Sequence, residues 1–495
     1  MGIIIKQSVR GAFWSYLGIA VGYINVGIIM PQFFDAAQIG LVQIFIAVSL
    51  IFSQFGTLGF TSVINRMFPQ FRQPERSHNG FLFLLMTTAI VGFAITATGF
   101  WVLKPWIVES NIQKSPLLVD YLYLLMPLVF MRLLFNLIDN YNKVLYDAVT
   151  GTFWMEFMHK LVNLFLIVMF AFGWLNFRQF FFGYLVSMSM PVIPLIIVLI
   201  RRKEFNLKPG MNFIDKTLVR ELAVVMTFGF FNGLAGILLT NVDKVLVNQY
   251  LSLEEVGIFG VCALFATLIK VPYNALSKIA VGIIAEAWRR NDIGHIQEIY
   301  RKSALNQAIA GTLIFTGILV NLDNIFEILP PVYRTGKWVL IIYSAGILWV
   351  TIIGMAGIIT ETSKHYRIST LFLLLSVGVQ FILSFLLIPA YGITGAAVAT
   401  SATFILNYTL QAGFQRIIFG IRSLDRNMLV VFLAGTLAFL VASLLPNLSL
   451  IPDIAARSII CTFAYGLVIY FSGISPEANG LINSLLNKMK LHGRK

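Results

Sequence analysis

The chain has 495 residues, of which 58% are hydrophobic, 14% aromatic and only 12% charged, with a mean hydropathy of +0.83. Soluble domains carry roughly 25% charged residues, so this shortage of polar surface excludes a soluble enzyme, a disordered tail and a secreted disulfide scaffold, and the lack of short alternating segments argues against an outer-membrane barrel. The formal charge of +14, from 36 Lys and Arg against 22 Asp and Glu, would point to nucleic acid in a soluble protein, but here its placement along the chain decides its meaning.

Apolar runs long enough to cross a hydrocarbon core of about 30 Å recur from end to end. In chain order they fall at about 9–30, 39–60, 80–103, 119–141, 153–174, 179–200, 222–243, 256–278, 304–322, 338–360, 368–388, 393–415, 428–445 and 456–473. The predicted fold class is therefore an all-α integral membrane protein of about 14 transmembrane helices. The first run reads as a retained span: MGIIIK is followed by no small-residue cleavage site, and Lys6 stands where a myristoylation signal needs Ser or Thr. The two cysteines, Cys262 and Cys461, lie in apolar runs and support neither a disulfide nor a metal site. Of the Lys and Arg residues, 25 fall on the loops that share a side with both termini and 7 on the opposite loops. The positive-inside rule then places both termini in the cytoplasm. Most of the basic excess is an orientation signal, with attraction to anionic membrane lipids as a secondary reading and no nucleic-acid partner.

The longest basic connection, Arg201 to Arg220, separates spans six and seven and contains Pro209-Gly210, a loop punctuation. The segment from Asn25-Val26 to Asp35-Ala36-Ala37-Gln38-Ile39-Gly40 is similar to Asn241-Val242 through Leu253-Glu254-Glu255-Val256-Gly257, and Phe172-Gly173-Trp174-Leu175 aligns with Tyr391-Gly392-Ile393-Thr394. These colinear matches predict two pseudo-symmetric six-helix lobes, as in parallel transporter repeats. The expected organisation is an N-terminal lobe at 1–200, a cytoplasmic linker at 201–221, a C-terminal lobe at 222–418, and helices 13–14 with a basic tail at 419–495. The stretch Ile283–Lys302 reads as an amphipathic interfacial helix.

A charge near the centre of a span costs about 2.5–3.5 kcal/mol on insertion scales, so each one is a functional hypothesis. In span four, Arg132, Asn136, Asp139 or Asn140, and Lys143 share one helical face; in span five Glu156, His159, Lys160 and Asn163 do; in span eight Lys270, Asn274 and Lys278 follow at steps of four. Such stripes imply a hydrated interior. Pairing offers a structural alternative: Glu156 with Lys160, Arg132 with Asp139, and Lys143 and Lys278 snorkelling to the surface. Lys270 has no acidic residue three or four positions away. The candidate substrate-binding set is Arg132, Lys160, Lys270, Asn136, Asn274 and Lys278, a cationic lumen suited to a phosphate-bearing substrate. Asp243 with Asn241, and Glu156, His159 and Asp139, are candidates for ion or proton coupling, against the plainer reading of Asp243 as a partner of Lys244. Histidines elsewhere lie in loops or the tail, so no metal site is expected.

Two segments carry a family resemblance. Asp243-Lys244-Val245-Leu246 with Leu253-Glu254-Glu255-Val256-Gly257-Ile258-Phe259, and Pro389-Ala390-Tyr391-Gly392-Ile393-Thr394-Gly395-Ala396-Ala397-Val398-Ala399-Thr400, resemble segments of the polysaccharide-transport flippases of the MATE-like (MOP) superfamily. Within it, the chain is similar to the O-antigen type (Wzx-like) repeat-unit flippases. The resemblance implies alternating access, and a polyprenyl-diphosphate-linked oligosaccharide moved across the bacterial inner membrane for cell-surface polysaccharide synthesis. It also implies no enzymatic activity, no cofactor beyond a coupling Na+ or H+, and a glycan polymerase or other polysaccharide-assembly proteins as partners. The first half departs from the pattern, since Gly27 stands where Asp243 has its counterpart, which confines an ion site to the second half. A lipid II flippase, a MATE-type drug or cation antiporter and, from another class, a membrane glycosyltransferase or glycan polymerase are the competing readings. The short outer loops leave the last little room for a catalytic domain.

Overall fold

The computed structural model describes residues 2–210, 215–480 and 483–484. The basic tail beyond residue 484 and positions 211–214 of the expected linker lie outside the described residues. The described chain is helical almost throughout. The elements are α1 (Gly2–Gly22), α2 (Ala36–Thr57), α3 (Phe60–Phe71), α4 (Phe81–Asn111), α5 (Leu125–Val144), α6 (His159–Ala171), α7 (Phe177–Ser189), α8 (Val192–Arg201) and α9 (Lys216–Tyr250). They continue with α10 (Leu253–Thr267), α11 (Val271–Arg289), α12 (Ile293–Val320), α13 (Lys337–Ile353), α14 (Met355–Thr362), α15 (Tyr366–Phe419), α16 (Asn427–Ser443) and α17 (Leu450–Ser472).

Twelve helical stretches are long and apolar enough to cross a membrane, and α16 is a shorter apolar helix. The fourteen expected spans are recovered because α15, with 54 residues, is really two spans. At Gly392 the backbone turns to φ 58° and ψ −141°, a region closed to residues with a side chain. The second arm then folds back on the first: a Cβ on Gly395 would fall 2.1 Å from the Leu387 carbonyl oxygen, and Gln380 Nε2 donates to Thr400 Oγ1 at 3.3 Å. Large apolar side chains such as Ile90, Trp101, Ile382, Phe385 and Leu433 stand exposed. Faces like these are sustainable only against acyl chains.

Packing divides the chain into two compact units, 1–261 and 262–495. That boundary lies within α10 and not in the 201–221 connection expected to part the lobes. The reason is that α9 and the start of α10 pack tightly on α2 and α3. A Cβ on Gly59 would sit 2.0 Å from the Met226 carbonyl oxygen, one on Gly229 would meet Ser62 Oγ at 2.3 Å, and one on Gly233 would meet Gln54 Nε2 at 2.3 Å. The contact between α2 and α10 is reciprocal: a Cβ on Gly40 would fall 1.8 Å from the Leu253 carbonyl oxygen, and one on Gly257 would fall 2.0 Å from that of Ala36. Gly40 and Gly257, like Ala36 and Leu253, are 217 residues apart, so the two similar segments meet each other at this crossing.

Beside this crossing, the end of α9 is joined to the end of α4. Asn248 Nδ2 donates to Asn111 Oδ1 at 2.7 Å, and Ser115 Oγ donates to Asn248 Oδ1 at 2.8 Å. All three residues are buried. The first unit also has a dry aromatic core where α3, α4, α5 and α8 converge on Phe68, Phe81, Tyr141 and Leu195. In the second unit, α16 and α17 form a hairpin anchored by Asp453, which accepts from Arg457 Nε at 2.6 Å, from Asn324 Nδ2 at 2.7 Å and from the Leu448 amide at 3.1 Å. The stretch Ile283–Lys302 is not one interfacial helix. It is the end of α11 and the start of α12, parted by a turn in which Asn291 takes φ 54° and Asp292 caps the following helix through the His295 amide.

Candidate functional site

In the first unit, α1 and the entry to α6 lie backbone against backbone. A Cβ on Gly18 would fall 1.8 Å from the Glu156 carbonyl oxygen, and Gly22 leaves room for the Lys160 side chain, whose Cδ lies 3.3 Å from a Cβ built there. Both helices are widened at this level into π-helical turns, Tyr23–Ile29 in span one and Phe153–Met158 in span five. Such turns release backbone groups from the regular ladder and often mark functional sites. Here Asn25, from one wide turn, donates its Nδ2 to the Lys160 carbonyl at 2.7 Å.

Arg132 projects from the middle of α5, at the centre of the span Pro116–Val144. It is half-buried, and its Nε and Nη1 are buried without a hydrogen-bond partner. Among the described residues no carboxylate forms a salt bridge with it. The guanidinium instead interacts electrostatically with the buried Tyr184 of α7 and with His159 at the start of α6. Asp139, the partner the sequence offered it, is taken: its Oδ2 is 2.5 Å from Lys143 Nζ. Its Oδ1 is buried against Gly151, where a Cβ would sit 1.7 Å away. Lys143 therefore pairs one turn back along its own helix.

Lys160 Nζ lies 3.1 Å from Glu156 Oε2, so its charge is balanced one turn back along its own span. His159 is buried, its Nδ1 has no hydrogen-bond partner, and it interacts with Lys160, Glu156 and Arg132. Asn163 is buried and its Oδ1 meets the Ser187 hydroxyl, which also lies 2.7 Å from the Tyr184 carbonyl. Asn136 accepts from Asn140 Nδ2 through its carbonyl at 2.7 Å and through Oδ1 at 3.1 Å. The first unit thus carries Arg132, Asn136 and Asp139 on α5 and Glu156, His159 and Lys160 on span five, with Arg132 left without a carboxylate partner among the described residues. Tyr184 and Ser187 were invisible to the sequence reading, because a tyrosine and a serine on an apolar helix carry no signal until the facing helix is known.

Asp243 and Asn241 are buried in the same unit near the end of α9. Asp243 Oδ1 accepts from the Lys244 amide at 2.8 Å, and Asn241 Nδ2 donates to Thr240 Oγ1 at 2.9 Å and to the Ile237 carbonyl at 3.1 Å. In the second unit, a single 3-10 turn, Leu268–Lys270, breaks the helix before Pro272 and sets Lys270 at the start of α11. Lys270 is half-buried, and Asn274 and Lys278 follow on the exposed face of α11. Among the described residues no group of three or more His, Cys, Asp or Glu is arranged to hold a metal ion.

No protein-family model matches the chain, and no curated protein matches it by sequence. Solved structures do match. The lipid II flippase MurJ in an inward closed conformation is 12% identical with a TM-score of 0.74, over 94% of this chain and 98% of that one. An inward-facing multidrug resistance MATE transporter of the MOP superfamily is 13% identical with a TM-score of 0.58, over 83% and 94%. The Vibrio cholerae MATE transporter VcmN is 12% identical with a TM-score of 0.54, over 86% and 98%. The chain has the fold shared by MurJ and the MATE transporters.

Proposed function

We propose that this chain, built on the fold of MurJ and the MATE transporters, is a flippase that carries a polyprenyl-diphosphate-linked oligosaccharide across the bacterial inner membrane by alternating access. The observation that supports this best is Arg132, a mid-span guanidinium with two buried donors and no carboxylate partner. A cation in that state costs several kcal/mol (about 2.5–3.5 on insertion scales), a cost offset where the ligand brings the negative charge. A diphosphate does so, and the planar fork of arginine matches its oxygens in pairs.

In the same unit Asn136 and Lys160 would add polar contacts to the headgroup, and in the second unit Lys270, Asn274 and Lys278 make a basic stripe of their own, while the polyprenyl tail stays in lipid. Asp243 with Asn241, and His159 with Glu156 and Asp139, are the groups through which Na+ or H+ would couple to transport. Both termini would face the cytoplasm, polysaccharide-assembly proteins such as a glycan polymerase are the natural partners, and the chain would perform no covalent chemistry. A MATE-type cation antiporter fits less well, because the unpaired charge at mid-span is positive and repels a cationic cargo. A lipid II flippase is favoured by the likeness to MurJ and shares the diphosphate and the tail.

The test is purified protein in liposomes with fluorescent polyprenyl-diphosphate sugars and, separately, fluorescent lipid II, each with and without a Na+ or H+ gradient. Protein-dependent flipping of the oligosaccharide lipid is expected. Transport of a lipophilic cation with no flipping of either lipid would end this reading, and flipping of lipid II alone would transfer the assignment.

A further inference from the structure

The connection between spans six and seven is held down where it begins. Just past the end of α8, Lys203 takes φ 60° and turns the chain, and residues 204–210 then follow the turn Pro74–Gly80 that joins α3 to α4. Three contacts bind the two segments. Glu204 Oε2 lies 2.8 Å from His78 Nε2. Asn206 Nδ2 donates to Ser77 Oγ at 2.6 Å, while Asn206 Oδ1 accepts from the Lys208 amide at 2.9 Å. Gly210 meets Gly80 backbone to backbone: a Cβ on Gly80 would fall 2.2 Å from the Gly210 nitrogen, and one on Gly210 would fall 2.0 Å from the Asn79 carbonyl oxygen.

The turn is strained at the place where it receives them. Ser77, His78 and Asn79 take φ of 50°, 51° and 51°, and Gly80 follows at 74°. Single residues visit this left-handed region; three in a row with side chains stay there only where their surroundings hold them. Part of that hold is local: the Gln73 carbonyl accepts from the Arg76 and His78 amides at 3.1 and 2.9 Å, and Asn79 Nδ2 donates to the Phe71 carbonyl at 3.3 Å. The rest comes from residues 204–210. The His78 ring is buried, 5.2 Å from the centre of the Phe68 ring, and its Nδ1 has no hydrogen-bond partner, so Glu204 is what satisfies the imidazole. With 204–210 lifted off, His78 would be buried and unsatisfied, and the left-handed residues would be released to relax. Turn and connection therefore change together, as the parts of a two-state element do.

The position of this element gives it something to control. Gly80 immediately precedes α4, and Gly210 stands six residues before Lys216, where α9 starts. Six residues reach at most about 20 Å, whereas the twelve from Glu204 to Lys216 would reach about 40 Å. Leu222 of α9, with the less deeply buried Leu218, packs in the cluster that holds Phe81 of α4, so the docked connection and this apolar contact close one seam. We propose that residues 204–210 are a strap that, docked on residues 77–80, keeps the starts of α4 and α9 together and, lifted off, lets them part.

The experiment measures distances between pairs of spin labels on the full chain in lipid nanodiscs, with Cys262 and Cys461 replaced by alanine. Labels at Glu75→Cys and Leu207→Cys, both exposed and outside the contacts above, report docking. Labels at the exposed positions Arg76→Cys and Thr217→Cys report the separation of α4 from α9. The unaltered strap should give mainly the short distance in both pairs. Glu204→Ala should raise the long-distance population of both pairs about tenfold, the worth of one hydrogen bond to a charged group. Glu204→Gln, which keeps a polar partner for His78 without the charge, should fall between. Gly210→Ala alters no buried side chain and pushes a methyl group against the Asn79 carbonyl, so it should release the strap at least as fully. Unchanged distances in Glu204→Ala and Gly210→Ala, with or without a lower melting temperature, would reduce residues 204–210 to packing and overturn the strap. Lengthening of the first pair alone would show docking that holds nothing together, and a long distance prevailing with the strap unaltered would show no docking; either result overturns the proposal. None of these readouts involves transport, so the strap and the flippase reading stand or fall separately.

Discussion

Replacing Arg132 by methionine should make the protein more stable and inactive at once. Methionine has nearly the same length and flexibility, so the volume in the middle of α5 stays filled. What disappears is a buried charge with two donors, Nε and Nη1, that have no acceptor. Exchanging buried ionic groups for apolar ones of similar size stabilises by about 1–4 kcal/mol, and each unsatisfied polar group costs about 1–3 kcal/mol. A gain of about 2 kcal/mol is therefore expected. For a unit of 261 residues, that raises the melting temperature by about 4 °C. Arg132→Lys keeps the charge but loses the fork, so it should melt close to wild type and transport poorly. The measurements are thermal unfolding in detergent and flipping in liposomes on the same preparations. If Arg132→Met melted below wild type, the arginine would have a structural partner and its orphaned state would be no argument for a ligand. Wild-type flipping by that variant would remove Arg132 from the site.

Three other outcomes follow from the packing. Gly40→Val places a branched side chain where a Cβ already falls 1.8 Å from the Leu253 carbonyl oxygen; because the obstacle is backbone, α2 and α10 must part, at a cost of about 3 kcal/mol or more, read as a lower melting temperature and as faster labelling of a cysteine introduced by Ser252→Cys. Unchanged labelling would mean the crossing is looser than the geometry states. Asn248→Ala and Asn111→Ala should each destabilise by about 1–2 kcal/mol, and the double variant by clearly less than their sum; additivity in denaturant melts would show that the two amides do not act together. Gly392→Ala forces a side chain into φ 58°, ψ −141°, a strain of about 1–3 kcal/mol, which should lower yield and melting temperature, whereas Gly378→Ala in the same helix, with open space around its Cβ, should be neutral or slightly stabilising.

Hydropathy is additive over about 20 residues, so the number and approximate position of the spans were legible in the sequence before any helix had a neighbour. The repeat was legible too, as Gly40 and Gly257 in matching surroundings, and so was the anomaly of Arg132 in an apolar run. Which charge pairs with which was not. Asp139 lies four residues from Lys143 and seven from Arg132, and both spacings return to one helical face, so periodicity alone left the two partners equivalent. The approach of Gly151 to the Asp139 carboxylate belongs to the tertiary arrangement. The membrane acts on each segment separately and dictates what must be a helix; the electrostatic identity of a site depends on distances between helices, which the fold alone sets.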